Sequence, residues 1–141
     1  MRTRTKLALT GAMTAVVALG AQPANAVSAL VGVNLDKAGP YSAPATCDGL
    51  VGAATSLNSI TYVIKATANA VATNGGVGVG TSVQCQVVDT RTHAVYGGAS
   101  GGLPGPMVVA VGTATVPLSA TVKVVVCSGA NFSNGGSFSS C

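Results

Sequence analysis

The sequence predicts an all-β protein, an antiparallel β-sandwich of about seven strands. No part of residues 27–141 has helical periodicity, and 17 of the 19 glycines (all but Gly11 and Gly20) interrupt short alternating runs rich in Val, Thr, Ala and Ser. Turn signals recur every 8–15 residues, as they do in sandwiches. Cysteines at positions 47, 85, 127 and 141 form an even set, which in a small exported domain indicates two disulfides.

Residues 1–26 predict a cleaved, helical secretory signal peptide. Arg2, Arg4 and Lys6 precede the apolar run Leu7–Ala21, and Ala24-Asn25-Ala26 supplies a small-x-small cleavage site. The apolar run is too short to span a bilayer comfortably, and no later run approaches about 18 apolar residues. We therefore expect a secreted, extracellular protein with one domain, residues 27–141, and no membrane span after cleavage.

The charge of residues 27–141 excludes one large class of partner. Four cations stand against three acids, a net charge of 4 − 3 = +1: Lys37, Lys65, Arg91 and Lys123 against Asp36, Asp48 and Asp89. Nucleic-acid binding needs a basic stripe that neutralises many phosphates, and none is present. Five aromatic side chains and no Trp are too few for a base-stacking platform, or for the usual aromatic face that binds sugars.

The first half of the domain is predicted as two strands with a loop between them. Ala29–Leu35 forms the first strand, and Gly39–Pro44 is a loop because its two prolines remove backbone donors. Ser59–Thr73 is the longest strand candidate. Asn74-Gly75-Gly76 then gives a hairpin signal, since both glycines accept positive φ.

The second half is predicted as short strands separated by turns. In chain order these are a strand Thr81–Val88, a polar turn Asp89–His93, a short strand Ala94–Tyr96, a loop or sheet crossing Gly97–Pro106, strands Met107–Val116 and Ala120–Cys127 around Pro117, and a hairpin at Asn134-Gly135-Gly136 that leads to a last strand ending at Cys141.

Strand parity favours one of the three possible disulfide pairings. Cys85 alternates with Val83 and Val87 and therefore points into the core, whereas Cys127 shares the parity of Lys123 and points outward. An inward and an outward sulfur do not meet, so we favour Cys47–Cys85 and Cys127–Cys141 over the other two pairings. Each bridge is expected to contribute about 2–4 kcal/mol of stability.

Four segments carry a resemblance to a known group of proteins. Residues 81–87 (TSVQCQV), 101–106 (GGLPGP), 112–118 (GTATVPL) and 124–127 (VVVC) look like those of small secreted actinobacterial proteins with an Ig-like sandwich, and the likeness covers about residues 57–141. The group is largely uncharacterised. The resemblance implies an Ig-like fold and an extracytoplasmic location, and it implies no catalytic residues.

Two motifs suggest catalysis, and each has a simpler structural interpretation. Gly98-Ala99-Ser100-Gly101-Gly102 matches the G-x-S-x-G nucleophile elbow, but the elbow needs a following helix and residues 103–106 (LPGP) cannot begin one. We interpret it as a flexible loop. A second pattern is the alternation of Asp89, Arg91 and His93, which with Ser100 would make a catalytic triad. We interpret these three residues as a solvated hairpin tip.

Metal and cofactor sites are not predicted. Three dispersed Asp and no Glu cannot make a glycosidase pair or a Ca²⁺ cage, and the cysteines lack zinc-finger spacing. The Gly75–Gly80 run meets neither the dinucleotide nor the P-loop spacing. The sequence therefore predicts no catalytic residue, no metal ligand and no cofactor.

The leading functional hypothesis is a secreted, non-enzymatic protein that binds an unknown protein or cell-surface component. Contact would use a sheet face or an exposed edge such as Ala94–Tyr96. An alternative is a small-ligand carrier similar to the enediyne apoproteins, which are exported Ig-like sandwiches of this size with two disulfides. In that family both bridges close short loops, whereas Cys47–Cys85 closes a long one. A third class is a protease inhibitor that presents Gly97–Pro106 as its loop.

Overall fold

The computed structural model describes residues 30–52 and 56–141, so the predicted signal peptide at 1–26 lies outside the described residues. The described part of the chain is all-β and contains no helix. Its strands are β1 (Leu30–Asn34), β2 (Lys37–Ala38), β3 (Tyr41–Ser42), β4 (Ala45–Val51), β5 (Ser59–Asn69), β6 (Val71–Ala72), β7 (Gly78–Asp89), β8 (Val95–Pro104), β9 (Met107–Pro117), β10 (Val122–Phe132) and β11 (Ser137–Ser140).

Eight strands form one antiparallel sheet in the order β1-β4-β5-β9-β8-β7-β10-β11, and β2-β3-β6 form a small second sheet. The prediction of an all-β fold is confirmed. The predicted number of about seven strands is wrong, because the described residues contain eleven. The four extra elements are β4 and the three two-residue strands of the small sheet, and those three are too short to leave an alternating pattern in the sequence.

The large sheet bends sharply between β8 and β9. These strands are paired at two positions, Gly97 with Ala114 and Gly98 with Thr113, whereas β5 and β9 are paired along their whole length. Beyond the bend the two halves of the sheet face each other, so that a Cβ on Gly32 of β1 would lie 2.6 Å from Val124 of β10. The sheet therefore curls around its own core.

Small and β-branched side chains fill this core. The largest fully buried side chains are Ile64, Val87, Val108, Cys47 and Cys85. Alanines on facing strands occupy much of the remaining interior, and their small volume lets the two halves approach closely. A second cluster under the small sheet contains Phe132 and Phe138, with the Tyr41 ring 4.6 Å from that of Phe132.

Two buried polar side chains join the ends of the curled sheet. Asn34 of β1 donates through Nδ2 to the Val126 carbonyl and to Ser140 Oγ, both at 2.9 Å. Ser128 of β10 donates to the Ala43 carbonyl at 2.6 Å. Such satisfied buried groups fix one arrangement of strands, because any other would leave them unpaired.

Both disulfides have the predicted pairing. Cys47 of β4 is bonded to Cys85 of β7 across the core, with their Cα atoms 6.1 Å apart. Cys127 of β10 is bonded to Cys141, which follows β11, with a Cα separation of 4.6 Å. The parity argument is therefore correct at both ends, and two disulfides in one small domain are typical of extracellular proteins.

Several predicted elements need correction. The Gly97–Pro106 segment is not a loop: most of it belongs to β8, which pairs with β7 from Val95 to Pro104. Gly39–Pro44 contains β3 and is not simply a loop. Asn74-Gly75-Gly76 is a turn but not a hairpin, since β6 pairs with β3 while β7 pairs with β8 and β10. The second hairpin, at Asn134-Gly135-Gly136, is confirmed between β10 and β11.

Strand β4 was missed for a physical reason. Its inward positions are Ala45, Cys47 and Gly49, which are small, while the large Leu50 points outward and is exposed. An alternation of small and polar residues gives no hydrophobic period, although in the fold those small residues are what the crowded core requires.

Candidate functional site

The turn between β7 and β8 is built around the carboxylate of Asp89. Its Oδ1 accepts hydrogen bonds from the backbone amides of Arg91 (2.8 Å) and Thr92 (3.0 Å), and its Oδ2 accepts one from the Tyr96 hydroxyl (3.0 Å). Asp89 is 3% exposed, and the turn closes with His93 at a φ of 63°. The prediction of a solvated tip is therefore wrong for Asp89, whose side chain organises the turn.

The hydrogen bonds from Thr92 and Arg91 hold the pKa of the Asp89 carboxyl below its ordinary value of 3.8. The same contact with Asp89 raises the pKa of the Tyr96 hydroxyl. With three hydrogen bonds from the turn and its neighbouring strand, and with only 3% of the residue exposed, this carboxylate is a structural group of the turn.

We expect Asp89 to give the protein a pH-dependent stability. The folded-state pKa of Asp89 is lowered, so its contribution to the free energy of unfolding is complete above the ordinary value of 3.8. That contribution is lost as the pH falls through the folded-state pKa. Asp89→Asn should lower the thermal midpoint at pH 7, and the difference from wild type should shrink on acidification. Thermal unfolding between pH 7 and pH 2 measures this.

Tyr96→Phe is the graded comparison, since it removes one of the three hydrogen bonds to the carboxylate and keeps the two from the backbone. Tyr96→Phe should lower the thermal midpoint by less than Asp89→Asn does. A difference between wild type and Asp89→Asn that stays constant across the pH range would show that this carboxylate does not supply the pH dependence.

The structure does not bring Ser100 and His93 together as a catalytic pair. Ser100 lies within β8, exposed and opposite Gln84 of β7, whereas His93 lies in the turn before β8. The strand residues from Val95 to Ser100 separate them by about 17 Å of extended chain. No helix follows Ser100, so the elbow geometry that the G-x-S-x-G motif requires is absent from the described residues.

Within residues 30–52 and 56–141, no three His, Cys, Asp or Glu side chains form a group that could hold a metal ion. No helix in this part of the chain has the length and apolarity needed to cross a bilayer.

Most outward side chains of one half of the sheet are polar, uncharged and small. We call this region the amide face: a set of outward residues of β8, β7, β10 and β11, namely Gly98, Ser100, Gly102, Gly80, Ser82, Gln84, Gln86, Gly129, Asn131, Ser137 and Ser139. Lys123 and Val125 of β10 point the same way and lie at the end of this face next to Asp89. Cross-strand register aligns Ser100 with Gln84 and with Cys127. The Cys127–Cys141 bridge therefore lies on this face, where parity predicted an outward sulfur.

Three adjoining depressions of about 450, 260 and 220 Å³ lie along the amide face. Ser82 lines the first and the third, and Gln84 lines the second and the third, so the depressions form one shallow groove. The glycines of the face have no side chain to fill it. No charged side chain lines the groove, which therefore offers amide and hydroxyl groups to a neutral, hydrogen-bonding surface.

The sequence contained the signal for this face only in part. Ser82, Gln84 and Gln86 alternate with apolar residues on β7, which marks one outward strand. Their neighbours on β8 and β10 come from segments 12 to 47 residues further along the chain, and only the register aligns them, as with Ser82, Gly102 and Gly129.

Comparisons of the chain with protein-family models, with curated proteins and with solved structures found no match.

Proposed function

We propose that this protein is a secreted Ig-like β-sandwich that acts without catalysis, by binding an extracellular protein or cell-surface component through its amide face. The observation that carries the proposal is the groove, which runs over three depressions and presents amides and hydroxyls beside glycines and apolar side chains such as Leu103 and Phe138. Binding sites are typically concave and hold a few polar groups that fix orientation.

Strand order supports the Ig-like part of the proposal. Strands β4, β5 and β9 lie in one half of the sheet, and β8, β7, β10 and β11 lie in the other. Taken along the chain, these seven strands correspond to A, B, C, C′, E, F and G of an Ig-like sandwich. The disulfide departs from the antibody pattern, since Cys47–Cys85 joins the strands corresponding to A and C and not B and F.

The arrangement of reactive groups supports a role in binding. The Asp89 carboxylate is occupied by the turn, Ser100 lies far along a strand from His93, and Cys47 and Cys85 are buried in a disulfide. A protease inhibitor would need a protruding loop, and the segment predicted to provide it is β8. Two disulfides also suit an oxidising compartment outside the cytosol.

Retention experiments test the proposal. The purified oxidised protein is incubated with cell-wall fractions and with immobilised culture-supernatant proteins, and the bound fraction is measured. We expect retention on one of them, and we expect Gln84→Arg to weaken it because a charged side chain then stands in a groove that is otherwise neutral.

Ser119→Arg is the matched control, since it adds the same charge at an exposed turn away from the groove. Equal loss of retention in both variants would remove the amide face as the binding surface. Retention on neither material, or a turnover abolished by Ser100→Ala, would contradict the proposed function itself.

A second candidate function is a small-ligand carrier. The largest of the three depressions along the amide face, about 450 Å³, has the size of many ligand sites. Native mass spectrometry of protein isolated from its source distinguishes this candidate, because a carrier would retain a mass beyond that of the polypeptide and a protein-binding module would not.

A further inference from the structure

The outer surface of the other half of the sheet is rich in exposed apolar side chains. We call it the valine face: the outward residues of β1, β4, β5 and β9, namely Val31, Val33, Thr46, Asp48, Leu50, Val63, Lys65, Thr67, Val109 and Val111. Val31 is 62% exposed and Val111 69%. The exposed valines lie on both sides of a polar and charged centre formed by Thr46, Asp48, Lys65 and Thr67, and exposed apolar clusters rimmed by polar residues mark interaction surfaces.

The cross-strand register gives this face an internal symmetry. One row across the four strands reads Val33, Thr46, Thr67, Val109. The next row reads Val31, Asp48, Lys65, Val111. Each row is symmetric in size and polarity about the line between β4 and β5, and the second row places one acid and one base on opposite sides of that line.

A two-fold axis parallel to the strands and above this line would bring a second copy onto the face with matching chemistry. Asp48 of each copy would lie over Lys65 of the other, and Thr46 over Thr67. Val31 would lie over Val111, Val33 over Val109, and Leu50 over Val63. Face-to-face sheets pack about 10 Å apart, a distance that side chains of this size fill.

We propose that this protein forms a symmetric homodimer through the valine face, with Asp48 and Lys65 at its centre. The four charges then form an alternating square, in which each carboxylate has an ammonium group beside it on its own copy and another on the partner copy. Opposite charges that meet their counterparts under a two-fold rotation are the signature of a self-complementary, isologous interface. This inference does not depend on the proposed binding function.

The size of the face sets the expected affinity. Four strands span about 19 Å, so the contact lies at the smaller end of specific interfaces. Because the sheet is curled, its central strands β4 and β5 make the closest contact, which places Asp48 and Lys65 where the charges matter most. We expect dissociation in the range of about 1 to 100 µM.

Sedimentation velocity of the purified protein, from about 1 to about 500 µM, tests this. We expect a reversible shift from monomer to dimer for the wild type. Lys65→Asp and Asp48→Lys should each weaken it by at least about tenfold, since either one places like charges opposite each other twice in the dimer.

Mixing the two variants separates an interface from a local effect on folding. In a mixed pair, every acid of the Lys65→Asp copy faces a base of the Asp48→Lys copy. The equimolar mixture should therefore form a heterodimer at concentrations where each variant alone is monomeric. A change confined to one copy, such as weaker pairing between β4 and β5, cannot produce this result.

Lys123→Asp, an exposed charge reversal on β10, is the control and should leave the dimer unchanged. A wild type that stays monomeric throughout the range would overturn the proposal. So would a dimer that neither charge reversal weakens, or a mixture that remains monomeric while both variants keep the thermal midpoint of the wild type.

Discussion

Replacing Cys47 and Cys85 together by alanine should cost about 4 kcal/mol or more of the free energy of unfolding. The bridge closes a separation of 38 residues, for which the chain-entropy expression gives about 4 kcal/mol. It also joins β4 to β7 through two side chains that are 0% and 1% exposed, so the smaller alanines leave unfilled volume in the core. The total free energy of unfolding of a small domain is about 5–15 kcal/mol, so the double variant should be close to unfolding.

Cys127→Ala with Cys141→Ala is the matched comparison. That bridge closes 14 residues, worth about 3 kcal/mol by the same expression, and the ladder between β10 and β11 remains when it is removed. Urea unfolding of both double variants measures the difference. A greater loss from the second pair would show that the cross-core bridge is not the main covalent support of the fold.

The second large effect is expected at the bend of the sheet, from Gly98→Ala. A methyl group at Gly98 would overlap the carbonyl oxygen of Cys85, which is backbone and cannot rotate away. Either β8 must move away from β7 or the bend must open, and we expect a loss of about 3 kcal/mol or more, or failure to fold.

Gly102→Ala on the same strand is the control for Gly98→Ala. Its new methyl group would meet its nearest neighbour, the Thr81 carbonyl oxygen, at 3.6 Å, which is an ordinary contact. Denaturant unfolding should give a free energy close to that of the wild type, with a gain of up to about 1 kcal/mol from the reduced freedom of the unfolded chain. Equal losses at the two positions would mean that the close approach at the bend is not the cause.

The sequence predicted those features that depend on local alternation of apolar and polar residues and on polar, turn-forming residues. The all-β class, the long strand that begins at Ser59, the turn that begins at Asp89 and the hairpin at Gly135 all follow from patterns within about ten residues. The disulfide pairing followed from parity on β7 and β10 alone, because inward and outward positions can be read without knowing the partner strand.

Features that depend on tertiary environment were not predictable in this way. Glycines at 97, 98, 101 and 102 resemble a loop in the sequence, yet they lie in β8. At Gly97 and Gly98 the backbone of the neighbouring strands leaves no room for a side chain. The burial of Asp89 is likewise a property of the folded turn, in which the Arg91 and Thr92 amides and the Tyr96 hydroxyl converge on its carboxylate. The amide and valine faces arise from register between distant strands, which one sequence does not specify.

If both surface proposals hold, the dimer has two binding faces directed away from each other. The valine face and the amide face belong to opposite halves of the curled sheet, so pairing through the first leaves the second exposed on both copies. Such a particle would bridge two partners or hold a repetitive surface at two points, and weak single contacts would then give strong attachment.

The contact of β1 with β10 and β11 has a consequence for the order of assembly. Asn34 makes hydrogen bonds to residues 92 and 106 positions further along the chain. Because the amino terminus is synthesised first, β1 cannot form these hydrogen bonds until the hairpin of β10 and β11, which contains their acceptors, has been synthesised. Maturation should consequently be slow and occur after synthesis, as expected for a topology dominated by contacts between remote segments.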